Sequence, residues 1–196
     1  MGGMYLAIDL TAGERERQSL EPLLVNPVAR WKILLAKLAA TSSFAFASLV
    51  LSVLAFSLVG YGLPSAKLGF ELHLGLRFMF TAWWMLLPLT VLLAGLQIMV
   101  AGFAKSYREA QTYLGLLSLV PVLPSLFLSL LPFKAGAWRY FFPVLSQNLG
   151  IVELLRLGQV AWLSLGPCFA GPSLLAVLVE SLAIRVFNSE RMATSR

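Results

Sequence analysis

Residues 38–60, LAATSSFAFASLVLSVLAFSLVG, carry no charged side chain, and their polar groups are all small hydroxyls. A helix needs about 20 predominantly apolar residues to cross roughly 30 Å of hydrocarbon, and this run meets that length. In hydrocarbon each backbone amide and carbonyl must be bonded inside the protein, so the run reads as a membrane-spanning helix ended by Gly60, Gly62 and Pro64. The stretch before it has the opposite character. GERERQSLEPLLVNPVARWKILLAK, residues 13–37, is the one long, densely charged, amphipathic segment of the chain.

Within that segment Thr11 and Glu14 fit a capping box, which predicts a helix start there. Leu20, Leu23 and Leu24 follow at i, i+3 and i+4, an apolar stripe opposite Glu14, Arg15, Glu16 and Arg17. Pro22 interrupts the helix. Asn26 and Pro27 then read as the cap and first residue of a new helix, which passes through Arg30, Trp31, Lys32 and Lys37 into the apolar run. Trp31 between basic residues is suited to the membrane interface. Residues 1–10, MGGMYLAIDL, are apolar but too short to span; they are expected to be a short interfacial start or the end of a preceding membrane helix.

Working outward in the other direction, further spans are expected at about 78–104, 112–131 and 166–187, making four. Pro121 and Pro124 should kink the third, and Pro167 and Pro172 lie where the fourth is entered. Residues 132–160 mix Lys134, Trp138, Arg139, Tyr140, Asn148, Glu153 and Arg156 with apolar residues, so helices lying in or dipping into the interface are expected. The composition agrees: 59% of the 196 residues are hydrophobic and 12% charged, against about 25% charged in soluble domains. The expected fold is all-α, a polytopic transmembrane bundle forming a single membrane-embedded domain over 1–196, with a polar tail at 188–196.

Charge sets the orientation. With the opening segment cytoplasmic, Arg15, Arg17, Arg30, Lys32, Lys37, Lys105, Arg108, Arg185, Arg191 and Arg196 lie inside. Lys67, Arg77, Lys134, Arg139 and Arg156 lie outside, an excess that obeys the positive-inside rule and puts the C-terminus in the cytoplasm. The net charge of +6 is thus spent on topology, and no basic patch interleaved with aromatics points to nucleic acid.

Several chemistries are excluded. GFAKS, residues 102–106, lacks the glycine that a phosphate loop places before its lysine, so no nucleotide site is expected. One cysteine, Cys168, and one histidine, His73, cannot build an intramolecular disulfide or a zinc cluster; Cys168, among apolar neighbours, reads as a buried inert thiol. Glu180 is the one acidic group inside the spans and reads as a carboxylate paired with Arg185, which leaves no acid/base pair for an intramembrane protease. Gln97, Ser118 and Ser129 suit interhelical hydrogen bonding or a polar path, with Gln97 and Glu180 the candidates for a translocation path.

The opening segment resembles the cytoplasmic loop of ABC type-2 exporter permeases, through Gly13, Glu14, Arg15, Glu16, Arg17, Leu20, Glu21, Leu23, Leu24 and Pro27. Gln18 and Ser19 depart from the glycine and threonine usual there. KSYREAQTYLGLLSLVP, residues 105–121, and FFPVLSQNLGIVELLRLG, residues 141–158, resemble the sodium-efflux branch of that family. The resemblance implies a permease without its own nucleotide site or cofactor, in the cell membrane. Its partners would be a cytoplasmic ATPase that binds the ATP, and a second permease copy or a complementary half. Residues 11–37 would be the coupling segment, with Glu14, Arg15, Glu16, Arg17, Leu20, Glu21, Leu23 and Leu24 meeting the ATPase. Sodium ions would be a candidate cargo. Family permeases have six spans, and MGGMYLAIDL matches the exit of the second, so the expected correspondence is to a C-terminal portion. A truncated or non-transporting membrane scaffold is the alternative.

Overall fold

The computed structural model describes residues 2–17, 28–62, 73–130, 142–158 and 162–188. Every regular element among them is helical, the arrangement that lets a backbone in hydrocarbon satisfy its own polar groups. The chain opens with α1 (Met4–Ile8), which runs through a π-helical turn (Asp9–Gly13) directly into α2 (Glu14–Glu16). The next elements are α3 (Arg30–Gly62), α4 (Leu76–Phe103), α5 (Tyr107–Leu117) and α6 (Leu119–Leu130). The last two are α7 (Leu145–Leu157) and α8 (Trp162–Asn188).

Three helices among the described residues are long and apolar enough to cross a membrane: Trp31–Gly60, Leu76–Phe103 and Leu165–Val186. They coincide with three of the four spans read from the sequence. The remaining one, 112–131, is divided into α5 and α6, which meet at Ser118. The cause is local. Pro121 has no N–H for the Leu117 carbonyl, and its ring would clash with that carbonyl in a continuous helix. As the third residue of a new helix it costs nothing, because amides in a first turn have no partner within the helix. The Ser118 hydroxyl bonds the Gly115 carbonyl at 2.5 Å, closing off α5. Pro167 and Pro172, expected where the last span is entered, both lie inside α8.

The elements form two compact units. The first draws on residues 1–46, 90–120 and 175–196. Its core interleaves Ile8, Leu34, Leu38, Ile98 and Leu114 with the alanines Ala7, Ala12, Ala101, Ala104, Ala110 and Ala183. Small residues let helices approach closely, which matters because apolar side chains gain little by leaving lipid for protein. Gly95 marks such an approach: a Cβ there would stand 3.4 Å from Val179 Cγ1 and 3.5 Å from Glu180 Cγ.

The second unit draws on residues 47–89 and 121–174. Leu74, Phe78, Met79, Ala82 and Leu154 form its core, with Trp83 packed against them. Trp84 and Phe169 stack with ring centroids 5.0 Å apart. The region read as interfacial does contain a helix, α7. It ends at Gly158, whose φ of +67° is the left-handed conformation glycine adopts at a helix C-terminus. The chain re-enters α4 beside that end, with the His73 N–H donating to the Leu155 carbonyl at 3.2 Å.

Gly95 supplies a test of the first unit. Gly95→Ala should be tolerated, since its methyl meets ordinary contact distances and alanine gains up to about 1 kcal/mol of helix propensity over glycine. Gly95→Leu should wedge α4 away from Val179 and Glu180 and cost about 1–3 kcal/mol. Thermal unfolding of the detergent-solubilised variants checks both.

Candidate functional site

Met4 to Glu16 is helical without interruption, so the helix start expected at Thr11 is not there. The Thr11 hydroxyl bonds backward to the Ala7 carbonyl at 2.5 Å, the way a hydroxyl inside a helix is satisfied. Glu14, the other half of the expected capping box, accepts from the Lys37 ammonium instead. The π-helical turn helps to build this contact. The Glu14 N–H bonds the carbonyls of Asp9 and Thr11, and the Leu10 carbonyl between them accepts from Lys37 Nζ at 2.5 Å. Lys37 lies on α3, and its side chain is only 7% exposed. An ammonium so buried must be paired and hydrogen-bonded; Glu14 and Leu10 provide both.

The three residues after Glu14 reach other partners. Arg15 Nη1 donates to the Ala104 carbonyl at 3.2 Å, just beyond the end of α4, where a cation also meets the negative end of the helix dipole. Glu16 Oε2 accepts from the Tyr107 N–H at 2.9 Å, at the first residue of α5, where a carboxylate meets the positive end. Arg17 reaches back two turns to Asp9 Oδ1 at 2.8 Å, an exposed ion pair. The sequence ERER therefore ties α2 to α3, to the end of α4 and to the start of α5. Of the residues read as meeting the ATPase, Glu14, Arg15, Glu16 and Arg17 are brought together here on internal partners. Leu20, Glu21, Leu23 and Leu24, with the break at Pro22 and Asn26, lie outside the described residues.

A side-chain cap does exist, at the turn these residues hold. Ser106 Oγ accepts from the Glu109 N–H at 3.2 Å, and Glu109 Oε2 accepts from the Lys105 N–H at 2.8 Å. Glu109 Oε1 also accepts from the Tyr113 hydroxyl at 2.6 Å. These bonds, the tyrosine's foremost, hold the Glu109 carboxyl below its ordinary value of 4.5. Sequence reading passed over this S-x-x-E pattern, which is as visible in Ser106 and Glu109 as the T-x-x-E of Thr11 and Glu14.

The two path candidates both belong to the first unit. Gln97 is buried on α4, and Glu180 is half-buried on α8 with its Cγ against Gly95. The expected pairing of Glu180 with Arg185 is not among the ion pairs of the described residues. Five residues at 100° each leave two side chains about 140° apart around a helix. No group of three or more acidic, histidine or cysteine side chains that could hold a metal ion occurs among the described residues.

A family model described as ABC-2 family transporter protein matches residues 1–137. The chain is 31% identical over 163 residues to the ABC transporter permease protein NatB of Bacillus subtilis (strain 168). That alignment takes in 79% of this chain and 41% of NatB, so the chain spans well under half of that relative's length. No solved structure matches the chain.

The pairs should differ sharply in worth. Glu14→Ala leaves the buried Lys37 ammonium with only a carbonyl and should cost about 3–5 kcal/mol, whereas Arg17→Ala removes an exposed pair worth less than about 1 kcal/mol. Adding Lys37→Met to Glu14→Ala should recover most of the loss; a double-mutant cycle read by thermal unfolding in detergent checks this. Glu109 adds a pH dependence. A carboxyl lowered on folding contributes stability above its unfolded pKa and loses it as pH falls through the folded value. Glu109→Gln should therefore remove a small loss of stability seen below about pH 4.5, measurable by acid titration of the melting temperature.

Proposed function

We propose, on the premise that the chain belongs to the ABC-2 transporter family, that it is the membrane-embedded permease portion of an ATP-driven exporter. It is a multi-pass membrane protein, and its relatives include a permease subunit. ATP would be bound and hydrolysed by a separate cytoplasmic ATPase that docks on the segment from Gln18 to Pro27. The opening segment then lies in the cytoplasm, and so does the C-terminus, with α5 and α6 together making the fourth crossing in this reading. The observation that carries this reading is the set of ties made by Glu14, Arg15 and Glu16 to Lys37, Ala104 and Tyr107.

The coupling follows from those bonds. A docked ATPase pulls on residues immediately after Arg17. The pull reaches α2, and from it the start of α3, the end of α4 and the start of α5. Short polar bonds transmit displacement more faithfully than apolar packing, because they fix distance and direction together. Two membrane helices and the turn between α4 and α5 would thus move as one when the ATPase closes, the kind of rigid-body step that exchanges inward-open and outward-open packings. The leucine stripe Leu20, Leu23 and Leu24, with Glu21 beside it, would fill an apolar groove on the ATPase. Because Glu14, Arg15 and Glu16 hold internal partners, their part in coupling is to transmit rather than to dock.

A second permease copy or a complementary half completes the pathway in this reading, with Gln97 and Glu180 facing the cargo. Sodium ions are the cargo implied by the resemblance of residues 105–121 and 141–158 to the sodium-efflux branch.

Co-expression with an ATP-binding-cassette ATPase and affinity purification from detergent tests the docking. Leu23→Asp should lower the ATPase recovered by more than about tenfold, as for loss of a central apolar anchor, while Gly95→Ala should leave it unchanged. If the wild-type chain retains no ATPase, the non-transporting scaffold becomes the better reading.

A further inference from the structure

Pro172 lies inside α8. A proline has no N–H to give the carbonyl four residues earlier, so the Cys168 carbonyl loses its bond within the helix. In a membrane span such an orphan must find another donor. The donor is Gln147, on α7: its Nε2 reaches the Cys168 carbonyl at 2.8 Å. The oxygen of the same side chain is engaged as well. Its Oε1 accepts from the Val144 N–H at 2.7 Å and from the Ser146 hydroxyl at 3.0 Å. These partners fix which end of the amide is which, since one end must accept from an N–H and the other donate to a carbonyl.

The surroundings are built around this contact. Gln147 is 1% exposed, and Ser146, Cys168 and Pro172 are all fully buried. Cys168 Sγ lies 3.6 Å from the Ser146 carbonyl, a second, weaker link between α7 and α8. Val144, which α7 uses as its cap, has a φ of +70°. That conformation is costly for a β-branched residue and persists only where neighbours hold it; here the bond from its N–H to Gln147 does so.

We propose that Gln147 is a latch on a hinge in the last span. With the latch closed, α7 is fastened to α8, and α8 is held in one conformation at Pro172. With it open, α8 is free to flex at Pro172 and α7 to lift away, uncovering Cys168. A glutamine that only filled space would not need to stand opposite the one carbonyl that Pro172 deprives. Nothing in this inference depends on the ATPase or on the cargo.

Cys168, the single cysteine of the chain, reports on the latch. The test is the rate of alkylation by N-ethylmaleimide, followed by intact mass, on the full chain in lipid nanodiscs. Gln147→Leu should accelerate alkylation by about tenfold, the effect of one lost hydrogen bond that leaves a buried carbonyl orphaned. Pro172→Ala restores an N–H to that carbonyl, so in its background the effect of Gln147→Leu should shrink by at least about threefold, the signature of two residues acting on one group. Equal acceleration in both backgrounds overturns the latch, as does no acceleration in either. Should Gln147→Leu yield no monodisperse protein, recovery of that protein by the added Pro172→Ala supports the proposal, and equal failure of the single and double variants overturns it.

Discussion

One lysine governs the arrangement of the opening segment. Lys37 sits where α3 leaves its charged beginning for an apolar run, and its side chain is almost wholly enclosed. Extracting an ammonium from water costs several kcal/mol even after relaxation, so its partners must be close and correctly aimed. The chain meets this demand with two groups from one helical turn, the Leu10 carbonyl and the Glu14 carboxylate. Both face Lys37 because the helix widens into a π turn there, and π turns commonly occur where local geometry serves function.

Once Glu14 is fixed, the directions of its neighbours follow. Successive side chains on a helix diverge by about 100°, so Arg15 and Glu16 cannot point at Lys37. They meet instead the two ends that the turn between α4 and α5 presents. A carbonyl at a helix exit attracts a cation and an amide at a helix entrance attracts an anion. The alternation of charge in ERER thus matches the alternation of helix ends around it.

Three of the four expected spans were legible in the sequence because the constraint that makes them is one-dimensional: hydrocarbon excludes charge and unpaired backbone over a fixed thickness. Where tertiary contacts decide, pattern alone misled. Thr11 with Glu14 and Ser106 with Glu109 spell the same capping signal, yet only the second caps a helix. The difference is what precedes each. A helix already runs through the residues before Thr11, whereas Ala104 and Lys105 leave α4 and give Ser106 its extended backbone. The division of 112–131 was partly legible in Pro121, whose effect depends on whether the chain can restart a helix before it; Ser118 allows that. The use of Glu14, Arg15 and Glu16 as ties was not legible, because Lys37, Ala104 and Tyr107 are far from them in sequence.

Two of the prolines, Pro121 and Pro172, show what the scarce polar residues contribute to a fold made largely of hydrocarbon. At Pro121 the chain resolves the missing amide by ending one helix and beginning another. At Pro172 it continues the helix and brings a side chain from α7 to the deprived carbonyl. The first solution is made by the chain's own turn at Ser118. The second binds two helices at a defined register, which apolar packing in lipid does weakly because many registers bury similar surfaces. Gln147 in the second unit and Lys37 in the first therefore do the same physical task. Each offers a buried polar group that one arrangement of its neighbours can satisfy, and so selects that arrangement from the many that packing would allow.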